Sequence, residues 1–142
     1  MATTKIGKIV RIVPARLGPG EDLIKGIVSI CEKHNFKNAM MIGAIGSLRR
    51  ARIFNQVPVA IEGDKIIYGF SEEPQQWGDE RGVLELCSLQ GTIEPGEDGK
   101  LEPRLNGTFG NAAGTVMGGR IAEGTLVMMT CELSIAEIDY GD

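Results

Sequence analysis

After one short helical stretch near its start, this sequence never returns to a helical period. Leu23, Ile24, Ile27, Val28 and Cys31 fall at the spacing of a single apolar helix face. From Asn38 onward the apolar residues come in short runs broken by Gly, Pro, Asn and Asp, the punctuation of strands and turns. A helix followed only by strands points to an α+β fold rather than to alternating βαβ units. The expectation is an α+β domain, mostly antiparallel sheet, with one N-terminal amphipathic helix. Glycine supports it: 20 of 142 residues, about twice the usual share of roughly 7%, as many tight turns require.

The pattern divides the chain as follows. Lys5 to Val13 reads as a strand, stopped by Pro14 and Gly18-Pro19-Gly20. Glu21 and Asp22 are expected in the first helical turn, Lys33 and His34 in the last, and Asn35 as the C-cap. Asn38–Ile45 and Leu48–Phe54 read as a tight pair of strands around Gly43 and Gly46. Lys65–Phe70 is a further strand. Ser71–Gly82, with Pro74, Trp77 and Gly78, has no period and reads as a long loop. Val83–Ile93 is strand-like, with Gly91 a candidate bulge. Glu94–Lys100 is the clearest turn. Leu101–Phe109, Thr115–Ile121 and Leu126–Ile138 are extended. Without a linker or repeat, residues 1–142 are expected to form one domain, long enough to bury about 70% of its unfolded surface.

Charge narrows the function classes. The net charge is −4 and the pI about 5.1, so the chain repels phosphate backbones at long range. Direct DNA binding is therefore not expected. Cys31, Cys87 and Cys131 are odd in number, widely spaced and set in apolar runs. They read as buried free thiols in a reducing compartment. No apolar signal segment opens the chain and no run nears about 18 apolar residues, so the expected location is the cytoplasm, with no membrane partner.

No catalytic constellation stands out. His34 is the single histidine, and nothing places it beside a nucleophile. No ligand spacing suggests zinc. Gly43-Ala44-Ile45-Gly46-Ser47 lacks the ending of a P-loop and the third glycine of a dinucleotide loop. Arg49, Arg50 and Arg52 form a basic cluster. Period 2 puts Arg50 and Arg52 on one face with Leu48 and Phe54, free to meet an anion or a neighbouring acid. Arg104 and Asn106, two apart, share a strand face, and Gly118-Gly119 lets another backbone approach Arg120. The two guanidinium groups would either hold an anion or be neutralised by Glu85, Glu102 or Glu132.

Arg16-Leu17-Gly18-Pro19-Gly20-Glu21-Asp22-Leu23, Gly46-Ser47-Leu48, Glu85-Leu86-Cys87-Ser88-Leu89-Gln90-Gly91 and Gly114-Thr115-Val116-Met117-Gly118-Gly119-Arg120-Ile121 occur in that order across almost the whole chain. In this the sequence resembles the PPC domain shared by plants and prokaryotes. The resemblance implies a mostly antiparallel sheet flanked by helices and a homotrimer. Many prokaryotic members carry a His-x-His pair and a later Gly-Gly-His that suggest a metal site. The matching positions here are Arg104, Asn106 and Arg120, and a guanidinium that stays protonated cannot ligate a metal. No metal and no cofactor are expected. Plant members add a separate AT-hook, and no Arg-Gly-Arg-Pro motif occurs here.

The function expected is a trimeric binding or assembly module. It would hold a small anionic ligand or a protein partner at clefts between subunits, with Arg104, Asn106, Arg120, Glu85 and Glu132 as site residues. No residue is expected to be catalytic. Two alternatives stand beside it. One is an enzyme on a carboxylate-bearing small molecule, with Glu85 or Glu132 as acid or base. The other is a DNA-associated regulator.

Overall fold

A computed structural model describes residues 1–78 and 82–141. Its elements run β1 (Lys8–Leu17), α1 (Leu23–Lys33), β2 (Ala39–Phe54), β3 (Gln56–Glu62), β4 (Lys65–Phe70), β5 (Gln75–Gly78), β6 (Leu84–Pro95), β7 (Leu101–Gly110), β8 (Val116–Ile121) and β9 (Leu126–Asp139). The main sheet is ordered β1-β9-β2-β6-β7-β8, with β5 paired to β2, and every pairing is antiparallel. The end of β2 also pairs with β8, Ile53 opposite Ile121 and Phe54 opposite Arg120. That contact closes β2, β6, β7 and β8 into a ring. β3 and β4 form a separate two-stranded sheet.

The fold is thus mostly antiparallel sheet, and α1 is the single helix among the described residues, where the resemblance implied several. Asp22 stands one place before the first turn. Its carboxylate accepts from the Ile24 and Lys25 amides, both at 3.0 Å, and its other oxygen from Gly124 at 2.7 Å. It is therefore the N-cap, stapling the helix to the β8–β9 turn. At the other end His34 caps and Asn35 follows with φ 56°, the left-handed residue that ends many helices. Leu23, Ile24, Ile27 and Cys31 are buried against Leu105, Phe109, Leu133 and Ile135 from the sheet. Each large side chain so buried contributes roughly 1.5–3 kcal/mol.

Several expectations change. The pair of strands around Gly43 and Gly46 is one strand of 16 residues, β2. Gly46 makes no turn. A Cβ there would collide with the Thr130 carbonyl and Cys131 Cα, so this glycine lets β9 lie close. β3 had no counterpart in the sequence reading, although Val57, Val59 and Ile61 alternate. Residues 75–78 of the expected loop pair with β2 as β5, and residues 79–81 of it lie outside the described residues. Gly91 is not a bulge. The β6–β7 register runs unbroken past it, and the irregularity falls between Leu86 and Ser88.

Candidate functional site

The β7–β8 hairpin turns at Asn111, whose side-chain oxygen accepts from the Ala113 and Thr115 amides, both at 3.0 Å. From that turn the strands run back in register, Gly107 opposite Gly119 and Asn106 opposite Arg120. Leu105, Gly107 and Phe109 point into the core. Arg104 and Asn106 therefore point outward, away from α1. The register extends the Asn106 row sideways to Gln90 on one flank and, through Arg120, to Phe54 on the other.

Within that row Arg120 is half-buried and well placed. Its Nε donates to Asn106 Oδ1 at 2.8 Å, and its guanidinium lies 5.2 Å from the Phe70 ring centre. Phe70 in turn meets Phe54 edge-on at 6.3 Å. An arginine held through Nε and one ring face keeps its two terminal nitrogens, which have no protein partner among the described residues. Arg104 is opposite Thr92, one step along the same face. Its nearest acid among the described residues is Glu102, with 3.7 Å from Nε to Oε1, beyond hydrogen-bond reach. Both groups are exposed, so this pair is worth little.

The other two expected residues are elsewhere. Glu85 is exposed on β6, opposite Ser47 and Gly110. Glu132 is on β9, opposite Ile45, and accepts from Arg16 at 2.7 Å. The structure brings Asn106 and Arg120 into contact, sets Arg104 beside them, and places neither Glu85 nor Glu132 in that cluster. Of the acids weighed as partners, Glu102 is the one near Arg104. The arginine cluster of β2 also differs from expectation. A register irregularity between Leu48 and Arg50 turns Leu48 into the core while Arg50, Arg52 and Phe54 face out. Arg50 Nε donates to the Gly124 carbonyl at 3.0 Å, so it secures the β8–β9 turn.

Phe54 and Phe70 were missed as site residues, because their contact with Arg120 depends on how a hairpin folds back. A second omission is larger. The outer face of the sheet is apolar over much of β1, β2 and β9: Ile12 is 54% exposed, Ile45 64% and Met129 63%. A groove of about 630 Å³ crosses it, lined by Pro14, Arg16, Gly43, Ile45, Glu132 and Ser134 among others. Cys87 is exposed rather than buried, whereas burial pushes the Cys31 and Cys131 thiols up to about 11.

This closed antiparallel sheet with one helix across it defines a β-rich domain class, and the comparisons say which. The profile of the plants and prokaryotes conserved (PCC) domain matches residues 4–139, and the chain belongs to that family. The fold is that of a plant- and prokaryote-conserved (PPC) protein from Pyrococcus horikoshii, 22% identical, TM-score 0.71, covering 97% of this chain and 85% of that one. A metal-containing protein from Archaeoglobus fulgidus is equally similar, 22% identical, TM-score 0.71, covering 98% and 87%. A protein from Bacteroides thetaiotaomicron with a provisional DNA-binding name is 15% identical, TM-score 0.72, covering 95% and 82%. In sequence, the bifunctional protein GlmU of a Synechococcus strain is 29% identical over 129 residues. That match takes in 89% of this chain and 17% of GlmU, so this chain spans under a fifth of that relative's length.

A metal does not fit this chain at the arginine cluster. Asn106 Oδ1 is already taken by Arg120, and guanidinium groups repel a cation and offer it no lone pair. Among the described residues no group of three or more His, Cys, Asp or Glu side chains could hold an ion either.

Proposed function

We propose that this chain is a single-domain assembly module, a homotrimer that offers the terminal nitrogens of Arg104 and Arg120, with Asn106 between them, to a small anion or an acidic partner group. One observation carries the reading. Two guanidinium groups with open terminal nitrogens sit on the same outer face as a large unpartnered apolar surface. Contiguous apolar surface on a soluble chain marks an interaction site, and planar guanidinium is the side chain best matched to carboxylate and phosphate. The GlmU match supports the word module, since there the same segment is joined to a much longer sequence. Three free thiols suit a reducing compartment, and the cytoplasm is the proposed location.

Binding is favoured over catalysis. An acid or base needs a carboxyl in a dry pocket near the bound substrate. Glu132 is ion-paired and half exposed, and Glu85 is open to solvent. The test is thermal melting against a panel of carboxylates and phosphates. A ligand at a hundred times its Kd adds about 2.7 kcal/mol, so at least one anion should raise the Tm of wild type and leave an Arg104→Ala, Arg120→Ala double variant unchanged. If every anion acts equally on both, the anion site is wrong. The DNA reading rests on the names of two structural neighbours. With net charge −4, the expected mobility-shift result is no complex even at low salt.

A further inference from the structure

The β3–β4 hairpin stands apart from everything else in the fold. Among the described residues its strands pair only with each other, as a second sheet of two strands. Its base is pinned where Phe70 meets Phe54 and Arg120. Beyond the base, seven residues at about 3.4 Å each carry the tip roughly 24 Å away. The register gives the hairpin one mostly apolar side, with Gln56 opposite Phe70 at its base. Phe70, Pro58 opposite Tyr68, and Ile61 opposite Ile66 follow one another along it. All are exposed: Phe70 45%, Tyr68 57%, Ile66 52% and Ile61 75%. The tip, Glu62-Gly63-Asp64-Lys65, carries two acids and one base.

A lone two-stranded hairpin is marginal in water, and this one turns its most apolar side to solvent. The chain also carries a second unpartnered apolar surface, the outer face described above. There Ile12, Ala136 and Met40 form a row that the register continues through Thr92 to Arg104. Each chain thus has one apolar arm ending in acids and one apolar face ending in an arginine with open nitrogens. Polarity and charge match, and the arm's exposed apolar residues show that its own chain leaves it uncovered. We infer that the β3–β4 hairpin is an exchange arm: it lies across the outer sheet face of a second copy of this chain, apolar side down on Ile12, Met40 and Ile45, with the Glu62–Asp64 tip at the neighbour's Arg104.

Such a contact joins unlike patches, so it repeats head to tail, and a rotation of a third of a turn per subunit closes it into a ring of three. The inference rests on the trimer proposed above and specifies how its subunits are joined. It makes the occupant of Arg104 an acidic side chain of the adjoining copy, and leaves Arg120, beside the base of the arm, for a small anion.

Two exposed-residue variants test it: Ile61→Lys with Ile66→Lys in the arm, and Ile45→Lys on the face. Circular dichroism should show both folded, since none of the three side chains is buried. Light scattering after size exclusion should find three chains per particle for wild type and one for each variant. When the two variants are mixed, each retains the half that the other lacks, and a two-chain particle should form. An arm variant that stays trimeric while Ile45→Lys falls apart overturns the arm and leaves the trimer standing. So does a mixture that remains single chains. A wild type that is a single chain at every concentration overturns both.

Discussion

The interior of the main sheet and the β3–β4 hairpin are built from the same kinds of residue and treat them in opposite ways. Leu105, Ile93 and Phe109 are fully buried, whereas Ile61, Ile66 and Tyr68 are more than half exposed. Both regions alternate, pair in register and turn on glycine. The difference is that the main sheet has a helix laid over one face and closes through the β2–β8 contact, so its apolar side chains are satisfied within the chain. Among the described residues the hairpin has no such cover. Strand pattern alone says that a face must be buried; it does not say whether the same molecule supplies the cover.

The sharpest way to break this comparison is truncation in each region. Phe109→Ala should cost about 3–5 kcal/mol, the usual cost for a buried aromatic, read by urea denaturation. Ile61→Ala should change the stability of a single chain by less than about 0.5 kcal/mol, measured in an Ile45→Lys background that holds the chain apart. Equal losses would mean that the hairpin packs against its own body. A smaller effect belongs to the helix that covers the core. Asp22→Ala removes the N-cap and the bond to Gly124, and should cost about 1 kcal/mol. A loss near zero would show that the helix is held by packing alone.

How much of this was legible from the residues depended on the range of the contact involved. The helix, the β6–β7 turn and the last three strands were readable because period and turn chemistry are local. The long β2 was not. Gly43 and Gly46 look like a hairpin, and only the closeness of β9 explains why a glycine stands in mid-strand. Leu126–Ile138 could be read as extended, but its place between β1 and β2, which leaves β1 at the edge, is set by the same long-range pairing. Arg104, Asn106 and Arg120 could be named because two-residue spacing and a glycine pair fix a face. Their separation from Glu85 and Glu132 could not, since that depends on sheet order. The second strand of the hairpin, Lys65–Phe70, was legible, but its first strand escaped notice because Pro58 and Gly63 interrupt what is otherwise a plain strand pattern.

The thiols give the smallest effect at neutral pH and sharpen the interior side of the comparison. Cys31 and Cys131 are fully buried and their folded-state values are raised from 9.0 to about 11, chiefly by burial. A raised folded value stabilises below the unfolded one and loses that contribution as pH climbs. Stability should therefore be flat up to about pH 8 and decline from 9 through 11, followed by denaturant titration. In the Ile45→Lys chain a maleimide should label exposed Cys87 at once, and Cys31 and Cys131 only on unfolding.

If the apolar outer face and the apolar arm cover each other in different copies, the assembled particle depends on the arm. Native mass spectrometry of the wild-type chain, with and without the Ile61→Lys, Ile66→Lys pair, tests this most directly. The predicted result is a three-chain particle that the arm substitutions dissolve into single folded chains. A wild type found as single chains, or a trimer indifferent to the arm, would contradict it.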